Sequence, residues 1–126
     1  MTFRFARHTN DLEQIKTFYI AILGFELLGT FKNHNGYDGI FIGKSNENWH
    51  LEFTTTKAVI CLDFNEDDML VFYPTSKIEF DILVNKLQSH EIKFIKAKNP
   101  YWNENGKMIL DPDGYRIIIS NLKIKS

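Results

Sequence analysis

Residues 2–8, TFRFARH, alternate apolar and polar side chains, the period of a strand with one face in a core. Asn10-Asp11-Leu12-Glu13 then has the form of a capping box, a short polar N-cap with Glu three positions on. Leu12, Ile15, Phe18, Tyr19 and Ile22 follow at helical spacing, and Gly24 supplies the stop. Strands are expected at about 25–31 (FELLGTF), 37–43 (YDGIFIG) and 48–55 (NWHLEFTT). The turns between them hold His34-Asn35-Gly36 and Lys44-Ser45-Asn46. The first half reads β-α-β-β-β.

The second half repeats it. MLVFY (69–73) is a strand, and Ser76-Lys77-Ile78-Glu79 offers a second capping box. Ile78, Ile82, Leu83 and Leu87 stripe the helix that follows, to about Gln88. Strands are then expected at KFIKA (93–97), KMILD (107–111) and YRIIIS (115–120). The two copies are offset by roughly 66 residues. Residues 56–67, TKAVICLDFNED, hold the one plausible linker, so the chain reads as a single domain. Its first module covers about 1–56, the linker about 57–67 and the second module about 68–126. One helix per module covers one sheet face only, and the other face must curl over something else. That makes a cup, and a cup implies a ligand.

Composition narrows the classes. The chain has 126 residues, 44% hydrophobic and 25% charged, which suits one globular domain with a real core. Eleven Phe make that core aromatic. The formal net charge of -1 and the lack of a long Lys/Arg run give no reason to expect nucleic acid or an anionic membrane as partner. Cys61 is the single cysteine, so neither an internal disulfide nor a zinc ribbon can form. Its apolar run, AVICLDF, suggests an inert thiol. MTFRFARHTND lacks the apolar core of a signal peptide, and no stretch approaches the ~18 apolar residues of a membrane span. A cytoplasmic location is expected.

NDLEQIKTFYIAILGFELL resembles the first helix of the vicinal oxygen chelate superfamily, the glyoxalase, bleomycin-resistance and extradiol-dioxygenase group. DPDGYRIII resembles the matching signature at the end of that family's last module, and the two motifs bracket nearly the whole chain. HNGYDG, WHLEFT and NPYW are similar to small uncharacterised glyoxalase-like proteins of bacteria. The resemblance implies an α+β fold of paired βαβββ modules, a U-shaped sheet around a cavity with helices outside. It also implies a homodimer. It does not imply a reaction, because members include isomerases, lyases, dioxygenases, thiol transferases and antibiotic-sequestering proteins.

In the metal-using members a divalent cation is held from the first and last strand of each module. Carried over, the four positions fall on Arg4, Glu52, Met69 or Leu70, and Ile118. Arginine has no acceptor lone pair and isoleucine has no polar atom, so Glu52 is the one ligand retained. One carboxylate does not hold a hard cation, and no metal site or other cofactor is expected. His8 or His50 could join Glu52 in a rearranged site, which leaves a divalent metal open at this point.

Strand alternation names the residues facing the cavity. If Glu52 faces inward, so do His50 and Thr54, while Leu51 and Phe53 meet the helix. Arg4, Ala6 and His8 share the inward face of the first strand, with Phe3 and Phe5 on the other. Arg116 and Ile118 share a face of the last strand. Arg4 or Arg116 could pair with Glu52, as structure alone or as the clamp for a ligand carboxylate or phosphate. Glu52, His8 and His50 are the candidate catalytic groups, able to move a proton near neutral pH. His34, Tyr37 and Asp38 border one loop at the mouth, where Asn-Gly also marks a tight turn. Tyr101 and Trp102 put two large aromatics in a second, polar loop, as a wedge or a stacking platform. Asp111 and Asp113 read as turn builders. The reading is a small-molecule binding protein with a degenerate metal site, taking a polar or anionic ligand. The alternative is a lyase, isomerase or dioxygenase built on Glu52 and a nearby His.

Overall fold

A computed structural model of the chain describes residues 1–125. It contains two compact units, Met1–Leu62 and Asp63–Ser126. The first runs through strand β1 (Phe3–His8), helix α1 (Leu12–Lys16), a π-helical segment (Thr17–Ile22), and strands β2 (Glu26–His34), β3 (Tyr37–Gly43) and β4 (Trp49–Thr55). The sheet order is β1-β4-β3-β2, with β1 parallel to β4 and the other pairs antiparallel.

The cap of α1 is Asp11, one residue later than the sequence suggests; its carboxylate accepts the Gln14 N–H at 3.0 Å. Asn10 has a different task. Its side-chain amide donates to the Ile60 carbonyl at 2.7 Å and accepts the Ile60 N–H at 3.0 Å, pinning the linker. At the other end, Gly24 adopts a φ of 82°, which an L side chain tolerates poorly, and turns the chain into β2. Ile15, Phe18 and Tyr19 from the helical stretch bury themselves with Ile40, Ile42, Leu51 and Phe53 of the sheet. The Tyr19 and Phe53 rings lie 4.9 Å apart. On β1 the expected partition fails at one end, since Phe3 is 65% exposed. The buried residue of β1 is Arg7, toward its other end, whose guanidinium lies 4.9 Å over the Phe53 ring. Its alkyl stem and flat cation can pack where a more hydrated ammonium would not.

The second unit contains β5 (Met69–Phe72), helix α2 (Lys77–Ser89), helix α3 (Pro100–Glu104), β6 (Gly106–Leu110) and β7 (Arg116–Ser120). The order is β5-β7-β6, again with the first strand parallel to the last. Ser76 caps α2 by accepting the Glu79 N–H at 3.1 Å. Leu87 is fully buried, but Ile78 and Ile82 are 74% and 62% exposed, so the expected apolar stripe is buried only toward its C-terminal end.

The expected strand at 93–97 is reduced to a single bridge between Ile95 and Met108. The Asn103 side chain explains why. Its amide accepts the Ala97 N–H at 2.7 Å and donates to the Ala97 carbonyl at 3.0 Å, taking the two bonds a neighbouring strand would have made. Asn99 and Pro100 are the N-cap and first residue of α3, which holds Tyr101 and Trp102 in a helix rather than the expected loop. The acidic turn is as expected: the Asp111 carboxylate accepts the N–H groups of Asp113 and Tyr115, and Gly114 takes a φ of 85°. Among the described residues no helix is long and apolar enough to cross a membrane.

Three changes test these supports. Asn103→Ala strands two polar groups of Ala97, a residue 2% exposed, and should cost about 2–3 kcal/mol in urea unfolding. Gly106→Ala would set a Cβ 2.7 Å from the Ile119 carbonyl oxygen and should cost about 1–3 kcal/mol. In Gly39→Ala the new Cβ meets only the Phe31 ring, which can swing aside, so under about 1 kcal/mol is expected.

Candidate functional site

The parallel ladder of β1 and β4 pairs Arg4 with His50, Ala6 with Glu52 and His8 with Thr54. The face expected to point inward on both strands is therefore one continuous surface, opposite the buried Leu51 and Phe53. There Arg4 Nε donates to His50 Nε2 at 2.9 Å, and Arg4 Nη1 lies 3.6 Å from Glu52 Oε1. The guanidinium also sits 4.9 Å over the Phe41 ring, and Phe41 meets His50 edge-on at 5.8 Å. Further along, His8 Nδ1 is 3.2 Å from Thr54 Oγ1, and the His8 ring lies 6.4 Å from Tyr37.

This geometry sets the imidazole of His50. An arginine Nε always carries its hydrogen, so His50 Nε2 must present a lone pair, and the neutral ring then carries its proton on Nδ1. Among the described residues, four side-chain atoms of the cluster make no hydrogen bond to the protein: Arg4 Nη2, Glu52 Oε2, His50 Nδ1 and His8 Nε2. Two of them, Arg4 Nη2 and His50 Nδ1, are donors, and Glu52 Oε2 is an acceptor. The Arg4 and Glu52 side chains are 49% and 15% exposed, so the pair is open to solvent on the arginine side.

A divalent cation does not fit these donors. The lone pair that His50 would offer from Nε2 faces an N–H, and Arg4 occupies the position of a first-strand ligand. In the second unit Ile118 is fully buried with Ala97 and Met108, and Met69, Val71, Ile95 and Trp102 pack against them. No three His, Cys, Asp or Glu side chains among the described residues are grouped to hold a metal.

The remaining candidates separate. Tyr37, on the Phe41 face, is 47% exposed and joins His8. Asp38 alternates to the other face and accepts the Asn33 N–H at 2.8 Å, bracing the hairpin. His34 lies edge-on to Phe31 at 6.4 Å at the end of β2. Arg116 lies in the second unit, where its Nη1 reaches the carbonyls of Phe64 and Asn65 at 3.5 and 3.4 Å and straps the chain entering β5. Trp102 packs on the Ile118 cluster, and Tyr101, half exposed, lies edge-on to it at 4.9 Å. Cys61 is exposed despite its apolar neighbours. Sequence reasoning missed the floor of the first site. Phe31 and Phe41 lie 5.8 Å apart, and the Phe31 ring covers Gly39 so closely that a Cβ would stand 2.3 Å from it. The signal was present as Tyr37-x-Gly39-x-Phe41-x-Gly43, aromatic and glycine residues alternating on one strand face.

The two modules, one of four strands and one of three with a bridge in place of the fourth, each with its first strand parallel to its last, have the vicinal oxygen chelate fold, the class of glyoxalases and of bleomycin- and fosfomycin-resistance proteins. Within it, the models of the YycE-like N-terminal domain and the YycE-like C-terminal domain match residues 3–54 and 67–121, and the chain belongs to this YycE-like family. It is 37% identical over 121 residues to the uncharacterized protein YycE of Bacillus subtilis strain 168, covering 95% of this chain and 87% of that one. The crystal structure of a Bacillus subtilis YycE protein of unknown function matches with a TM-score of 0.85 at 36% identity, over 99% and 92% of the two chains. The trypanothione-dependent glyoxalase I of Leishmania major has a TM-score of 0.75 at 21% identity, over 95% and 85%. TnmS3, an antibiotic binding protein from Streptomyces sp. CB03234, has a TM-score of 0.69 at 21% identity, over 96% and 94%.

The Arg4–His50 bond has a direct spectroscopic consequence. Long-range 1H–15N spectra should show the neutral His50 ring protonated on Nδ1, and Arg4→Ala should remove that preference. A ring protonated on Nε2 in the unaltered protein would contradict the arrangement.

Proposed function

We propose that the protein is a small-molecule binding protein of the glyoxalase/bleomycin-resistance kind that works in the cytoplasm and holds its ligand without a divalent metal. One observation carries the reading: Arg4, at a first-strand ligand position, donates to His50 and faces Glu52, so a cationic donor occupies the place of a cation beside them. What they leave outward is suited to a polar ligand. Arg4 Nη2 and His50 Nδ1–H can donate to an acceptor oxygen, and Glu52 Oε2 can accept from a hydroxyl or amine. Phe31 and Phe41 provide an apolar surface beside them. That TnmS3 binds an antibiotic supports a binding role for this fold, and the resemblance to the superfamily supports a homodimer as the working assembly.

A catalytic reading has its own observation, that Glu52 Oε2 and His8 Nε2 make no hydrogen bond to the protein among the described residues and are an acid–base pair in residue type. It makes the protein a lyase, isomerase or dioxygenase that draws a proton to Glu52 with His8 assisting. His50 is less suited to that work because its Nε2 is already engaged.

Calorimetric titration with nickel, zinc, manganese and ferrous ions separates the readings. No stoichiometric binding is expected, whereas one metal per chain at micromolar affinity or better, lost in Glu52→Gln, would sink the metal-free proposal. For ligands found by thermal-shift screening, Arg4→Ala and Glu52→Gln should each weaken binding by about tenfold or more. Because the pair is open to solvent on the arginine side and its ions are 3.6 Å apart, each should cost about 1 kcal/mol of stability or less. Loss of the fold in both variants would make the pair structural.

A further inference from the structure

The second unit has an open cavity of about 420 Å³ lined by Asp67, Met69, Lys98, Asn99 and Trp102, within the usual size range for small-molecule sites. We propose that this cavity binds a planar aromatic anion, stacked on the Trp102 indole with its acid group on Lys98. The inference needs nothing from the Arg4 cluster of the first unit.

Three features point to this chemistry. Trp102 is anchored from behind by the Ile118 cluster, so an exposed part of a large flat ring is held at fixed position in the cavity wall. A ring so fixed costs a stacking ligand little ordering entropy. Next, the polar atoms left over are mainly donors. Asn99 spends its carbonyl oxygen on the Tyr101 N–H at 3.1 Å, which leaves its NH₂ group without a partner among the described residues. The indole N–H of Trp102 likewise has no acceptor there.

Lys98 is the third feature. Its ammonium lies 3.8 Å from Glu66 Oε2 and 4.0 Å from Asp67 Oδ2, beyond hydrogen-bonding distance in both cases. All three side chains are more than half exposed, and such pairs hold weakly. The ammonium can therefore turn its N–H groups to a ligand carboxylate at small cost. Asp67 opposes an anion and supplies a second lever. Removing its charge should tighten an anion and loosen a cation.

The test uses 2-naphthoate as probe, with 2-naphthamide and 2-naphthylmethylammonium as its neutral and cationic counterparts, each titrated calorimetrically into the full-length protein. The proposal expects saturable binding of 2-naphthoate, with the amide and the ammonium each weaker by about fivefold or more. Lys98→Ala, a surface change that should leave the fold untouched, should weaken 2-naphthoate by about tenfold. Asp67→Asn should tighten it by about two- to fivefold. Trp102→Leu should weaken all three probes, with its melting curve checking that the Ile118 cluster survives. Unaltered affinity in Lys98→Ala, stronger binding of the ammonium, or no binding of 2-naphthoate at millimolar concentration would each overturn the assignment.

Discussion

The parallel pairing of the first strand of each unit with its last strand is the constraint from which both halves of the molecule follow. A parallel pair cannot be closed by a hairpin, so the chain must leave, form a helix and return through antiparallel strands before the ladder completes. In the first unit that ladder brings Arg4 beside His50 across 46 residues of sequence. In the second it sets Met69 and Val71 beside Arg116 and Ile118. One geometry thus produces two surfaces of opposite chemistry, because polar side chains occupy the register positions in one unit and hydrocarbon occupies most of them in the other.

Where a strand has one buried face, the period of two survives in the sequence, which is why β1, β3, β4 and β7 and the shared face of Arg4, His8, His50 and Glu52 were legible. The Ile118 substitution was legible for the same reason. What could not be read involves side chains replacing backbone. Asn103 satisfies both polar groups of Ala97 and so removes a strand that the apolar pattern of 93–97 supports. Asn10 does the same for Ile60, where a capping role was expected. No periodicity records such a bond. Arg116 escaped for a related reason, since its partners are carbonyl oxygens of Phe64 and Asn65, which every residue has.

Cys61 and Ile78 show the opposite limit. Both lie in apolar patterns, and both are exposed. Cys61 is in a stretch without regular structure, so neighbouring apolar residues do not share a face with it. Hydrophobic spacing says which residues could share a face. Whether another element covers that face is a separate fact.

Magnitudes separate the parts that hold the fold from those available for chemistry. A buried aromatic such as Phe53 is worth about 3–5 kcal/mol on truncation, while an ion pair open to solvent on one side, such as Arg4–Glu52, is worth about 1 kcal/mol or less. The fold would survive without the cluster. Yet the chain places an arginine, a histidine and a carboxylate on one solvated sheet face, and places glycine at 39, against which the Phe31 ring packs. A structural role accounts for the mutual contact of the three polar groups. It does not account for an aromatic surface kept partly open next to unspent donors and an unspent carboxylate oxygen. A ligand that covers the rings and takes those atoms accounts for both.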